Sequence, residues 1–195
     1  MRTTTALFIT TSILGGVISG LFLTAPELEA HEASPEIVIV DLPDIPEVPN
    51  IDADELECLA KNVYFEAGNQ STAGRIAVAN VTINRVNSDK FPNTICEVVH
   101  QGQYRKSWKD ENVLVPVLNK CQFSWWCDGK ADNPYEGDAW DESQLIALRA
   151  YTEWLDNKTL DITDGSMYYH ADYVTPYWAK HMIRTVKIGT HIFYH

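Results

Sequence analysis

The sequence predicts an α+β domain, mostly helical, with a small antiparallel sheet at its C-terminal end. Two patterns carry that expectation. Apolar residues recur at three-and-four spacing through residues 58–86 and again through 142–155. Residues 188–194 instead alternate as Ile188, Thr190, Ile192 and Tyr194, the period of a strand. A chain of 195 residues is long enough for one domain with a sizeable core.

The first helix is expected just after residue 52, with Asp52 or Asp54 as cap and Glu55 and Glu57 in its first turn. Leu59, Val63 and Glu66 then share one face, and Gly68 supplies the stop. Glu66 therefore sits in the last turn. Burial there, together with the negative end of the helix dipole, disfavours its charge. A carboxylic acid kept neutral near neutral pH is suited to general acid catalysis. The plain alternative is an amphipathic helix whose Glu66 points into water.

A second helix is expected from about Ser71 or Thr72, with Ile76, Ala79, Asn80, Ile83 and Val86 on one side. A short one follows from about Thr94 to His100. Residues 101–140, rich in Gly, Pro, Asp, Trp and Tyr, are expected to be largely irregular. A fourth helix is expected from about Glu142 to Leu155, capped by Asp141, with Leu145, Leu148, Thr152 and Leu155 along one side. Met167–His170 and Ile188–Tyr194 are the expected strands, after a turn at Asp164-Gly165.

The formal charge of −12 is concentrated near one end. Residues 27–57 carry eleven acidic groups and no Lys or Arg, whereas residues 58–195 carry 14 basic and 16 acidic groups. The segment 31–55 is acidic and Pro-rich, which favours an extended tether. Nothing basic clusters as a nucleic-acid surface would. Residues 1–30, with Arg2 and the uncharged run Ala6–Leu23, read as an export signal or a membrane anchor. Either assignment puts the globular part, 56–195, outside the cytoplasm, in the periplasm or cell envelope.

Four cysteines beyond such a signal favour disulfides. Three connectivities are open. Cys58–Cys96 with Cys121–Cys127 is favoured, because the first ties two helices and the second closes a short aromatic loop. A zinc site built from the four thiolates is the rival, but no C-x2-C pair is present.

The blocks N-V-Y-F-E-A (62–67), G-R-I-A-V-A-N-V-T-I-N-R-V (74–86), F-P-N-T-I-C-E-V-V-H-Q (91–101), Q-F-S-W-W-C-D-G (122–129) and M-Y-Y-H-A-D-Y-V-T-P-Y-W-A (167–179) occur in order, followed by I-G-T-H-I-F-Y (188–194). In these the chain resembles the cell-wall hydrolases typified by the spore-cortex-lytic enzyme SleB. The resemblance implies a lysozyme-like or lytic-transglycosylase-like fold. It also implies cleavage of peptidoglycan glycan strands between N-acetylmuramic acid and N-acetylglucosamine, without a cofactor, with Glu66 as the catalytic acid. Many members read E-A-R-G-E from that Glu, where this chain has Glu66-Ala67-Gly68-Asn69-Gln70. Gln70 can hydrogen-bond but cannot act as a base. Asp128, Asp132 and Asp172 are the remaining candidates for a second carboxylate.

Phe123, Trp125, Trp126, Tyr168, Tyr169, Tyr173, Tyr177 and Trp178 are the aromatic groups expected to supply sugar-stacking walls, Tyr168 being favoured over Tyr169, with Gln70, Gln122, Ser124 and His170 as polar partners for hydroxyls. About half of the aromatic groups in these blocks are expected in the core, including one of the Tyr168/Tyr169 pair. Two other functions compete. His191 and His195 form an H-x3-H pair that would suit a zinc amidase or peptidase if helical. On a strand the two rings lie roughly 13 Å apart, too far for one metal. A wall-binding module that holds glycan without cutting it is the other. The compact form fits a bacterial wall-remodelling enzyme or a phage lysis enzyme (endolysin).

Overall fold

The computed structural model describes residues 50–195. The expected signal or anchor (1–30) and most of the acidic segment (31–55) lie outside the described residues. Helix α1 spans Ala53–Ala67, and the Asp52 carboxylate accepts hydrogen bonds from the Asp54 and Glu55 amides. Its inward face is Leu59, Ala60, Val63 and Ala67. Helix α2 spans Thr72–Val86, capped by Ser71, and α3 is the short Ile95–Val99.

Helix α2 is buried nearly all round, from Gly74 to Val86. That is the mark of a central helix. On one side Ala79, Ile83 and Val86 join a core with residues of α1 and α3. On the other, Ala77 and Val81 meet Phe193 beneath the sheet. Its buried polar groups are largely spoken for. Asn80 accepts from the Ile162 amide, and Thr82 Oγ1 accepts from Asn62.

Residues 101–140 are not all irregular. Strands β1 (Gly102–Lys106) and β2 (Leu114–Cys121) form an antiparallel pair. The sequence hid them because β1 is exposed along its whole length, so no apolar alternation marks it, and β2 carries Pro116. Helix α4 spans Asp138–Leu155, starting earlier than expected, at Gly137 (φ 137°), a conformation suited to glycine. Its buried face is also different. Ser143, Ile146, Ala147, Ala150 and Tyr151 face inward, whereas Leu145 is 67% exposed and Leu148 is exposed too. Small residues let α4 pack closely on α1 and α2, and this close approach selected the face over side-chain size.

The C-terminal sheet has three strands in the order β3 (Tyr168–Ala171), β5 (His191–Tyr194), β4 (Arg184–Ile188), all antiparallel. The single strand expected over 188–194 is therefore two strands joined by a tight turn at Gly189 (φ 57°) and Thr190. Disulfides join Cys58 to Cys96 and Cys121 to Cys127. The first ties α1 to α3, and the second ties the end of β2 to a 3-10 turn, Ser124–Cys127. No helix among the described residues is long and apolar enough to cross a membrane.

Candidate active site

Glu66 projects from the last turn of α1 into a groove of about 1310 Å³. The floor and walls come from the end of α1, Arg85 of α2, the 3-10 turn, the loop Asp128–Tyr135, strand β3 and the Thr190-His191 corner. The Tyr169 hydroxyl donates to Glu66 Oε2 at 2.8 Å. Burial raises the Glu66 pKa, and this outweighs the Tyr169 hydrogen bond, the Arg85 charge and the Ser124 amide, which all lower it. Tyr169 is held well above the ordinary tyrosine range, first by burial and then by Glu66 itself. Tyr169 therefore stays a donor at any working pH.

Strand alternation explains this pairing. Tyr169 points toward α1 and the Phe193 layer, and Tyr168 points the other way, against Phe91 and Trp178. Tyr168, the one of the pair expected at the substrate, does not line the groove, and Tyr169 does. Which of the two faced inward depended on a strand partner, β5, that the local sequence does not identify.

Of the other expected residues, Gln70, Gln122, Phe123, Ser124, Trp125, His170 and Tyr173 line the groove. Trp126 and Trp178 do not. Trp126 stacks on His100 with ring centres 3.7 Å apart and donates to the Tyr104 hydroxyl. Trp178 packs edge-on against His170 and Tyr194. Both had neighbours of their own that outcompeted the groove. Phe123 is almost wholly buried beneath Arg85. Trp125 stacks on Phe65 at 4.7 Å, and its indole N–H donates to Asn62 at 2.9 Å. Tyr173, 83% exposed, stands on the rim.

Gln70 is committed to the scaffold. Its Oε1 accepts from both the amide and the hydroxyl of Thr190, which pins the β4–β5 turn to the end of α1. Gly189 packs against that same oxygen, so an added Cβ would collide with it. His170 is likewise engaged, through Nε2 with the Tyr194 hydroxyl and through Nδ1 with the Ala171 carbonyl.

The candidate second carboxylates differ in state. Asp128 hydrogen-bonds Lys130, which holds it below the usual range. Asp132 lines the groove with its pKa raised, by burial first and by Asp128 second. Asp172 pairs with Lys187 at 2.7 Å and does not line the groove. Among the described residues, no group of three His, Cys, Asp or Glu side chains comes together to hold a metal ion. The four thiols of the rival zinc site are consumed in the two disulfides.

A mostly helical domain with a small C-terminal sheet is also the fold of two solved domains. The catalytic domain of the germination-specific lytic transglycosylase SleB from Bacillus anthracis superposes with a TM-score of 0.53 at 24% identity, over 77% of this chain and 100% of that one. The catalytic domain of the Bacillus cereus SleB protein gives 0.51 at 24% identity, over 77% and 98%. These two establish the fold. The cell wall hydrolase family matches residues 69–194, and the chain belongs to that family. The spore cortex-lytic enzyme of Bacillus cereus is 27% identical over 148 residues, which is 75% of this chain and 46% of that protein. The chain thus spans about half the length of the curated relatives it matches.

Proposed function

We propose that this domain cuts the glycan strand of peptidoglycan between N-acetylmuramic acid and N-acetylglucosamine, as a lytic transglycosylase with Glu66 as acid and then base. The observation that carries this is the state of Glu66: a carboxyl raised by burial, oriented by one tyrosine hydroxyl, at the head of an open groove. The family stretch begins just after Glu66, so the assignment rests on that geometry. A glycan sits along the groove with sugar faces against exposed aromatic rings such as Tyr135 and Tyr173. Glu66 donates its proton to the glycosidic oxygen, and the bond from that oxygen to C1 of the muramic sugar breaks. The sugar's own 6-hydroxyl oxygen then bonds to C1, and its proton passes to Glu66. Acid is regenerated and no water is consumed. The attack is intramolecular, so proximity stands in for a bound nucleophile. Exposure to the cell envelope, by export or anchoring, follows from the substrate.

Gln70 supports this over a two-carboxylate mechanism, because the position that carries a second Glu in many family members holds an amide here, already bonded to Thr190. The expected products end in 1,6-anhydro-N-acetylmuramic acid, lighter by one water than hydrolytic ends. Mass spectrometry of digested peptidoglycan decides it. Reducing N-acetylmuramic acid as the main product would mean hydrolysis and turn attention to Asp128 as base.

Activity is expected to fall as pH rises through the elevated pKa of Glu66, because the acid form is lost. Tyr169→Phe removes a hydrogen bond that favours the carboxylate. In that variant the alkaline limb of the kcat profile moves to higher pH while kcat falls. A limb that stays put or moves down would count against the Tyr169–Glu66 coupling.

A further inference from the structure

Arg85, near the end of α2, is 4% exposed and carries a charge with little to offset it. Nε donates to the Met167 carbonyl at 2.8 Å, but Nη1 is buried without a hydrogen-bond partner. Among the described residues, none of the ion pairs within 4.0 Å involves it. Three rings surround the guanidinium instead, with centres 4.7 Å (Phe123), 5.1 Å (Phe91) and 5.9 Å (Tyr168) from Cζ. Cation–π attraction returns part of the desolvation cost and fixes the plane of the group. A buried donor left unpaired at a groove wall needs a reason beyond stability.

The groove supplies one. Arg85 lines it together with Glu66, and each group feels the other's charge. They are too far apart to form an ion pair, yet close enough to interact through a poorly screened interior. Once Glu66 has given its proton to the leaving oxygen, a carboxylate exists where burial disfavours one. Tyr169 from β3 offers it a hydrogen bond, the Ser124 amide of the 3-10 turn favours its charged form, and Arg85 from α2 offers it charge. His191 of β5 stands behind Tyr169, ring centres 5.0 Å apart, and burial lowers its pKa so that it adds no cation near neutral pH.

We propose that Arg85 is a positioning residue for the reaction: its caged guanidinium is the fixed positive charge against which the Glu66 carboxylate forms after proton donation. This rests on the reading of Glu66 as acid and then base. An aromatic cage suits the task better than a salt bridge, because a carboxylate paired directly to Arg85 would hold no proton to donate.

The test is the titration of the Glu66 side chain in the full chain, followed by carbon-13 NMR with labelled glutamate carboxyls and assigned by its absence in Glu66→Gln. In Arg85→Met and Arg85→Gln the Glu66 carboxyl should titrate at higher pH than in the unmodified protein. Turnover on peptidoglycan should fall on the order of ten- to hundredfold with little change in KM. Arg85→Lys, which keeps the charge, should recover part of both. An unmoved titration in a folded neutral variant overturns the proposal. Should both neutral variants fail to fold, Arg85→Lys decides, since loss of activity in a folded, charge-conserving variant also overturns it. Activity retained in Glu66→Gln would defeat the reading of Glu66 and leave the measured coupling intact, so the two failures are distinguishable.

Discussion

Glu66→Gln is expected to abolish glycan cleavage in a domain that remains folded and still binds glycan. The amide keeps the size of the side chain and can still accept the Tyr169 hydroxyl, so the local packing survives. It has no acidic proton. General acid catalysis contributes about 10²–10⁴-fold, and here one group serves both half-reactions, so turnover should drop by roughly three orders of magnitude or more. Stability should move in the opposite direction. The folded-state pKa of Glu66 lies above its ordinary value, so the stability it contributes is full at acid pH. It is lost as pH rises through that raised pKa. Gln has no such loss, and at neutral pH the variant should melt at the same temperature or higher. Muropeptide release and thermal melts at two pH values check both halves. A folded Glu66→Gln protein that still releases muropeptides would sink the mechanism.

How much of this was legible in the sequence depends on whether the determinant was local. The position of Glu66 was legible, because Leu59, Val63 and Gly68 lie within a few residues and fix both the face and the end of α1. The partners of Glu66 were not. Tyr169 is 103 residues away, and its direction is set by pairing with β5. Arg85 stood in plain view at the end of a helix, but its role depends on Phe91, Phe123 and Tyr168 closing around it. A signal was available: a lone Arg between buried Ile83 and Val86 has to be satisfied by something other than water. The buried face of α4 differs from the expected one for a related reason. Leucines mark an apolar stripe, yet close helix contacts prefer Ala147 and Ala150. The strand split at Gly189 was hidden because the turn interrupts an alternation that continues on both sides.

Removing the Cys58–Cys96 disulfide is expected to cost more stability than removing Cys121–Cys127, and the reverse should hold for activity. The first closes a sequence separation of 38 residues and the second only 6. Chain entropy in the unfolded state scales with the logarithm of that separation. The losses should therefore be about 4 kcal/mol for Cys58→Ala/Cys96→Ala and about 2 kcal/mol for Cys121→Ala/Cys127→Ala. The larger loss corresponds to a fall in Tm of roughly 10 °C or more for a domain of this size. The Glu55 carboxylate, which accepts from the Ile95 and Cys96 amides, and the core shared with Ile95, Val98 and Val99 also hold α1 to α3. The Cys58 end of α1 is remote from Glu66, so a protein lacking the bridge should retain its turnover at temperatures where it stays folded. The short bridge acts elsewhere. It anchors the 3-10 turn that carries Ser124 and Trp125, two residues of the groove wall, and the Ser124 amide acts on Glu66 itself. Loosening that turn should raise KM and lower kcat at a temperature where the domain is fully folded. Denaturant titrations alongside muropeptide kinetics on the two double variants separate the effects. Equal stability losses in the two variants, or unchanged kinetics in folded Cys121→Ala/Cys127→Ala, would refute this division of labour.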